Sequence, residues 1–444
     1  MLSEAQCREI FAQLERASTA DETEVFFDSS RSALTRFANN AIHQNVAEEG
    51  VQISVRVVVA GRTARATTNK TDTASLQRTV EQAIASARWQ PQDPDLLAML
   101  GPQRYDPVAR VCATTAQLTP EIRAEAVRRV VEQAERLGLN AAGLYANSYA
   151  TQALANSCGL FAFHEETKAE FSLTCLSDTA SGWAKANFTS AEQLAIDELA
   201  ERACQKVLAS REPKELPPGC YTVILEPAAV LDLVGFLFYD FAATAIRDQR
   251  SCFTERLGKK VFGENISLWD DVYHPLQTGP VWDGEGMPRR KVPLIEQGVV
   301  KNLVYGRQSA RKAGTEPTGH GFLLPNEYGE APMNLVFAGG EASLDEMIRS
   351  TQRGVLVTRL WYIREVDPYE KILTGMTRDA TFCVAEGKIQ YAVRNLRFNQ
   401  SIIEMLNQVE MLGPTVRAAG EESFEMVVPA MKVANFHFTE ITKY

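Results

Sequence analysis

The chain has 444 residues, of which 45% are hydrophobic and 23% are charged. These ordinary values exclude a disordered, collagen-like or coiled-coil protein for most of the chain. The net charge of −10 and the lack of a basic stripe argue against nucleic-acid binding, because phosphate neutralisation supplies most of that affinity.

Helical and strand patterns alternate over the first 210 residues. The N-terminus predicts an amphipathic helix with Ile10, Phe11 and Leu14 on one face. Residues 51–57 alternate polar and apolar side chains, which is typical of a half-buried strand, and Ala60-Gly61 predicts a hairpin turn. The other predicted elements are strands at 24–27 and 34–40, a helix at 72–88, a helix from Thr119 to Leu137 with Pro120 in its first turn, antiparallel strands over 143–188, and a helix from Ser190 to about Ser210, which Gln193 would cap.

A proline-rich segment marks the predicted domain boundary. Residues 211–219 contain three prolines and a glycine, a composition typical of linkers. We predict an N-terminal α/β domain at 1–210 and a β-rich C-terminal domain at 220–444. The fold class is α+β, with a mixed or antiparallel sheet and helices in the first domain. The second would hold one buried apolar helix, near 228–246, and many short strands, and no repeat of roughly 20–50 residues is visible.

The location predicted from the sequence is the cytoplasm. The N-terminus has no basic stretch followed by an apolar core, so no secretory signal is expected. The most apolar stretch contains Asp232 and Asp240. A charge near a bilayer centre costs about 2.5–3.5 kcal/mol, so a buried helix is favoured over a membrane span. The eight cysteines are too sparse for a disulfide scaffold and show no Cys-x-x-Cys spacing.

Known catalytic and metal motifs are missing from the sequence. His164-Glu165 begins a His-Glu-x-x-His zinc motif, but Lys168 stands where the second imidazole is needed. There is no nucleophile elbow, phosphate loop or dinucleotide fingerprint. The paired carboxylates Asp270-Asp271 and Asp283-Gly284-Glu285 suit acid–base chemistry, cation binding or a solvated turn. The residues by themselves therefore identify no catalytic or metal site.

A series of short strings in the second half of the chain is distinctive. Asp-x-Glu-Gly-x-Pro occupies 283–288, Leu-Ile-Glu-x-Gly-Val occupies 294–299, and Ser-Ala-Arg and Thr-Gly follow. In this order they closely resemble the TldD/PmbA family, also called "modulator of DNA gyrase". Further matching stretches lie at 36–45, 257–261, 377–389, 395–398 and 428–433.

The resemblance implies a cytosolic metallopeptidase built from paired subunits, one TldD-like and one PmbA/TldE-like, that cuts small unfolded peptides. In the family, the TldD-like subunit carries His-Glu-x-x-x-His on the helix that opens the C-terminal domain, and a later cysteine adds a zinc ligand. Here that helix, at 231–241, has no histidine, and no cysteine follows Cys383. The resemblance therefore implies a PmbA/TldE-like chain without a metal or cofactor of its own, and zinc in a TldD-like partner.

Three functional hypotheses follow. The first is a non-catalytic subunit that pairs with a TldD-like chain, with itself, or with both, and helps to bind unfolded peptides by strand addition to a sheet edge. The second is a stand-alone homodimeric hydrolase that uses Asp283, Glu285 and His320. The third is a module that binds gyrase or a toxin-system protein. The residues expected to line a peptide cleft or a partner interface, with turn chemistry as the alternative, are Asp283, Glu285, Arg307, Thr318, Gly319 and His320.

Overall fold

Alternating burial along extended segments builds the first of two sheets in the computed structural model, which describes residues 1–442. Its strands are β1 (Glu22–Ala38), β2 (Ala41–Val59), β3 (Arg62–Thr68), β4 (Asn140–Asn156), β5 (Phe161–Leu176) and β6 (Ser181–Phe188). Their order is β3-β2-β1-β4-β5-β6, and every neighbouring pair is antiparallel. Buried and more exposed side chains alternate along nearly all of β5, so one sheet face lies against a core.

Helices cover this sheet as two similar halves. The helices are α1 (Glu4–Ala17), α2 (Thr73–Trp89), α3 (Ala113–Ala116), α4 (Pro120–Arg136) and α5 (Ile196–Ala209). Each half is a helix, three strands and a helix, with β1 and β4 adjacent at the centre. The helix α1 packs on α2 and β4, while α4 packs on α5 and β1. Each half encloses its own hydrophobic cluster.

Local capping explains where these helices begin. Ser3 and Gln6 form a capping box before α1. As predicted, the Thr119 side chain caps α4 before Pro120 and accepts from the Ile122 N–H. The predicted start of the third helix, at Ser190, is wrong. The Ser190 side chain accepts from Glu192 and caps one 3-10 turn, and α5 begins later. The two strands predicted at 24–27 and 34–40 are one continuous strand, β1.

The second sheet contains a closed barrel. Its strands are β7 (Gly219–Leu225), β8 (Leu268–Asp270), β9 (Val292–Glu296), β10 (Val299–Val300), β11 (Leu335–Phe337), β12 (Arg353–Asp367), β13 (Ile372–Ala385), β14 (Lys388–Val393), β15 (Leu396–Ser401), β16 (Val409–Ala418) and β17 (Met426–Ile441). The strands β7, β12, β13, β15 and β17 pair in a ring, which β17 closes on β7. Short strands, as predicted, occur between 268 and 337, but the barrel strands β12, β13 and β17 are long.

The apolar helix predicted near 228–246 is three shorter pieces. They are α6 (Pro227–Val234), a 3-10 helix (Gly235–Phe241) and α7 (Ala243–Arg247). The helical ladder stops at Ala242, because the backbone there forms a bridge to Val304, and the Ala243 N–H donates to the Val304 carbonyl. The helix α6 packs against β12 and β17, and its side chains join the barrel's hydrophobic cluster. The remaining helices are α8 (Arg307–Ala313), α9 (Leu344–Arg349) and α10 (Ile402–Asn407).

The α+β fold class is confirmed by this arrangement of helices and antiparallel-rich sheets. The division of the chain at 211–219 stays a prediction. Within residues 1–442, no helix has the length and apolar character needed to cross a membrane.

A buried ionic cluster joins the first sheet to the second half of the chain. Arg56 donates to both oxygens of Glu24, at 3.0 and 2.9 Å, and the two side chains are each 2% exposed. Arg65 donates to Glu24 at 2.8 Å and to the Leu324 carbonyl at 2.7 Å. Burial alone would raise the pKa of Glu24, but the two guanidinium groups hold it below its usual value. The carboxylate is therefore ionised at neutral pH and fastens both arginines.

Glu24→Gln should lower the free energy of unfolding by about 3–5 kcal/mol, because it leaves two buried guanidinium groups without a counter-charge. Urea unfolding followed by tryptophan fluorescence measures the change. Glu125→Gln, which removes an exposed ion pair with Arg128, is the matched control and should leave the midpoint almost unchanged. Equal effects of the two substitutions would contradict the structural role of the Glu24 cluster.

Candidate functional site

The predicted site residues lie on two loops that are bonded to each other and, in the case of Arg307, at the start of α8. The Asp283 carboxylate accepts the N–H groups of Glu285 and Met287, both at 2.9 Å, and that of Gly321 at 2.8 Å. The Gly284 N–H donates to the Gly321 carbonyl at 2.8 Å. Asp283 is 2% exposed, so its carboxylate holds the two loops together from within.

Glu285 and Arg307 meet where the two halves of the chain join. The Arg307 Nη1 lies 3.3 Å from the Glu285 carboxylate, and Arg307 Nη2 donates to the Ala98 carbonyl at 2.9 Å. Burial raises the pKa of Glu285 to about 7, the nearby Asp283 charge adds to this shift, and Arg307 opposes it. Glu285 is therefore a buried carboxyl that titrates near neutral pH at the junction.

His320 lies in a buried line of polar groups. Its Nε2 is 2.9 Å from Asp270 Oδ1, its Nδ1 is 2.9 Å from Thr318 Oγ1, and the His320 and Asp270 side chains are 0% exposed. The Thr318 hydroxyl also accepts the Tyr305 N–H at 2.7 Å. At Gly319, φ is +77° and an added Cβ would lie 2.3 Å from the Pro288 carbonyl oxygen, so only glycine fits.

The structure thus brings all the predicted site residues into one neighbourhood, mostly below the surface. Their part in peptide or partner binding stays a prediction. Of these residues, Glu285 lines a cavity of about 170 Å³. Glu330, which sequence reasoning missed, lines the same cavity. The Glu330 carboxylate accepts from the Thr244 N–H, the Ser309 hydroxyl, both at 2.7 Å, and the Gly306 N–H.

A larger groove of about 580 Å³ lies over the 3-10 helix Gly235–Phe241. One wall is the β12–β13 hairpin, and the other is the segment 421–424 between β16 and β17. The rings of Phe238 and Phe424 meet edge to face at 5.3 Å. Phe236, Tyr239 and Pro368 add further apolar surface. Aromatic walls with a few charged groups are typical of ligand-binding grooves.

The charges at the floor of this groove are already paired. Asp240 Oδ2 lies 2.5 Å from Lys371 Nζ, which also donates to Glu365 at 2.8 Å. Burial disfavours the charge on Lys371, but the two carboxylates outweigh that effect and raise its pKa above the ordinary value. Asp240 also accepts the Cys252 N–H at 2.8 Å.

Asp232 is the second carboxyl of this region and lies under the groove wall. It is 0% exposed, and its Oδ1 accepts the Glu422 N–H at 3.3 Å. Its Oδ2 is buried and has no hydrogen-bond partner among the described residues. Burial raises the pKa of Asp232 to about 7.

The side chains at this helix do not fit the zinc ion that the family resemblance places here. Zinc takes imidazole, thiolate or carboxylate ligands in a tetrahedral set. Asp240 is bound by an ammonium group, and the neighbouring side chains Val234, Leu237 and Phe241 are fully buried apolar groups. Over residues 1–442, no group of three or more His, Cys, Asp or Glu side chains is placed to hold a metal ion.

Sequence reasoning located this helix but missed the groove residues Glu365, Lys371 and 421–424. One signal was available. An aspartate in a strongly apolar stretch requires a cation or hydrogen-bond donors when it is buried. The position of Asp240 therefore indicated a partner, but a sequence does not reveal which distant lysine supplies it.

The two sheets and their helices define an α+β protein, and family models match most of its length. A model described as the PmbA/TldA metallopeptidase C-terminal domain matches residues 218–440. Models of domain 1 and of the central domain of the same family match 23–87 and 113–211. The chain belongs to the PmbA/TldD family.

Individual relatives are distant. Metalloprotease PmbA of Escherichia coli O157:H7 is 22% identical over 387 residues, 81% of this chain and 80% of that protein. A metalloprotease of Methanothermobacter thermautotrophicus is 24% identical over 295 residues, 62% of each chain, so this chain spans less than two thirds of that relative. The crystal structure of TldE from Thermococcus kodakarensis has the same fold, with a TM-score of 0.89 at 22% identity over 98% of this chain and 100% of that one.

Asp232→Asn should stabilise the protein at pH 8 but not at pH 4. The unfolded aspartate loses its proton near pH 4, whereas the folded one keeps it until about pH 7, so the wild-type protein loses stability as the pH rises between these values. Asparagine does not titrate and keeps an acceptor for Glu422. The expected gain at pH 8 is roughly 2–4 kcal/mol.

Urea unfolding at a series of pH values measures this difference. The control is Asp345→Asn on the exposed face of α9, which should not reproduce the pH-dependent gain. Parallel pH profiles for wild type and Asp232→Asn would show that the buried carboxyl does not titrate as inferred.

Proposed function

We propose that this chain is a PmbA/TldE-like, non-catalytic subunit of a cytoplasmic metallopeptidase that acts on small unfolded peptides. The observation that carries the proposal is the use of the helix at 227–241. Leu231, Val234 and Leu237 are fully buried in the barrel core, and Asp240 is bound to Lys371. In TldD-like relatives this helix is expected to hold zinc, so under this proposal the partner supplies the metal.

A role in peptide binding is supported by the groove over the same helix. The strand β7 pairs with Gly354–Val357 of β12, and among the described residues no strand pairs with the later part of β12 on that side. The Tyr362 and Ile363 N–H groups there donate to the Glu422 side chain instead. A free edge can accept an extended peptide as an additional strand, and main-chain hydrogen bonds of this kind tolerate many sequences. The aromatic walls of the groove would contact the peptide's side chains.

A cytoplasmic location is supported by the thiols. All eight cysteines are free in the structure, and Cys7, Cys175, Cys204, Cys252 and Cys383 are buried, as is usual in a reducing compartment.

The first test uses the purified chain alone and mixed with a relative from the same genome that carries His-Glu-x-x-x-His. We expect no stoichiometric zinc and no peptidase activity for this chain, and chelator-sensitive cleavage of unfolded peptides by the mixture that exceeds that of the relative alone. Size-exclusion chromatography separates a homodimer from a mixed dimer. Chelator-insensitive cleavage by this chain alone would instead support a hydrolase, with Asp283, Glu285 and His320 as the residues to substitute.

Phe424→Ala should weaken peptide binding to the groove by about 3–10-fold, because an aromatic contact contributes about 0.5–1.5 kcal/mol beyond its buried area. Fluorescence anisotropy of a labelled unstructured peptide measures the dissociation constant. Trp89→Ala removes a ring that is 90% exposed and lies on α2, and it should leave the binding unchanged. Equal weakening by both substitutions would argue against the groove as the peptide site.

A further inference from the structure

One wall of the groove is a strap, defined here as residues 419–425, which joins β16 to β17 without regular secondary structure. The first sheet holds both ends of the strap. Lys185 Nζ donates to the Gly420 carbonyl at 3.2 Å, and Lys168 pairs with Glu425. In its middle, Ser423 lies against Gly235, where an added Cβ would come within 2.0 Å of Ser423 Oγ. The strap is therefore closely fitted across the floor helix.

The strap places the carboxylate of Glu422 against the irregular part of β12. The N–H groups of Tyr362 and Ile363 both donate to this carboxylate, at 2.9 and 3.2 Å. The ladder between β12 and β13 is interrupted between Trp361 and Arg364, and Tyr362 has a φ of +55°. Successive N–H groups beside a left-handed residue form a concave anion site.

We propose that this pair of N–H groups is a binding site for the C-terminal carboxylate of a peptide in the groove, and that Glu422 fills it as an internal substitute. The proposal rests on the proposed function of the groove as a peptide site. A peptide C-terminus offers the same chemical group as Glu422, and main-chain N–H groups are a known means of capturing it. Glu422 and the aromatic walls line the same groove, so a peptide held here would place its last side chains against those rings.

The negative charges around the N–H pair require a peptide carboxylate to replace that of Glu422 rather than to bind beside it. Glu365 and Glu421 also line the groove, and Asp232 lies directly beneath Glu422. A second carboxylate beside Glu422 would be repelled by these groups. When a peptide carboxylate replaces that of Glu422, the charge at the N–H pair is unchanged. Besides the two N–H groups, the Glu422 carboxylate has a long ion pair, 3.9 Å, with Arg364, so the bonds that a peptide carboxylate must replace are mainly those two.

The test compares Glu422→Ala with Glu421→Ala, its neighbour on the strap, in binding a fluorescein-labelled pentapeptide of Gly, Ala and Phe. The peptide is used as the free acid and as the C-terminal amide. We expect Glu422→Ala to bind the free acid at least about 10-fold more tightly than wild type, because the internal competitor is gone. The amide should bind wild type and Glu422→Ala equally. Glu421→Ala removes only a repelling charge of the groove, so it should tighten binding of the free acid much less than Glu422→Ala does. Acetate, the same carboxylate without a peptide, should compete only at far higher concentration.

Equal binding of acid and amide by Glu422→Ala, or an equal gain in Glu421→Ala, would overturn the proposal. A gain for acetate without a gain for the peptide would show a general anion site and would also overturn it. If Glu422→Ala does not fold, Glu422→Gln, which retains an acceptor, replaces it in the same comparison. Hydrogen exchange at the Tyr362 and Ile363 N–H groups of wild type is then also measured with and without excess free-acid peptide, and identical exchange rates would count against the proposal. These measurements need no partner subunit, so they are independent of whether the mixture shows peptidase activity.

Discussion

The pairing of β17 with β7 is the interaction on which the second half of the molecule depends. It joins the first strand after the proline-rich segment to the last strand of the described chain and closes the barrel. Closure gives the apolar side chains of α6 a continuous surface to pack on, and Val230, Leu231 and Val234 are completely buried there. The groove exists because the β12–β13 hairpin and the strap extend past this packed helix on either side.

Buried ion pairs and hydrogen-bonded carboxylates fasten the rest of the structure to that barrel. Glu24, Asp240, Asp270 and Asp283 are each nearly or fully buried, and each is held by cations, an imidazole or main-chain N–H groups. A buried pair contributes little net stability, but loss of one partner is costly. These groups therefore fix the positions of particular segments relative to one another more than they add to the overall free energy of unfolding.

Under the proposed function, the same helix would have two different uses within the family. A helix whose inner face carries imidazole and carboxylate groups can bind zinc, whereas here that region contributes apolar packing and an aspartate bound to Lys371. This chain has the groove and its aromatic walls, which under the proposed function would serve peptide binding. Peptide binding and metal chemistry would then reside in different subunits, and the strap would control access to the peptide-binding groove.

The sequence by itself determined the features that depend on neighbouring residues. The cap at Thr119 and the turn at Ala60-Gly61 predicted what the structure contains, because capping and turn preferences act over a few residues. The alternation at 51–57 correctly predicted a strand, but residues 53–58 are buried on both faces rather than half-buried. The strings around 283–320 indicated the family that the family models confirm. Tertiary structure alone decided the rest. The run of helical pieces that begins at Pro227 is interrupted at Ala242, where the backbone bridges to Val304, and Asp240 is paired with Lys371. Such partners lie far apart along the chain, and only the closing of the barrel brings them together.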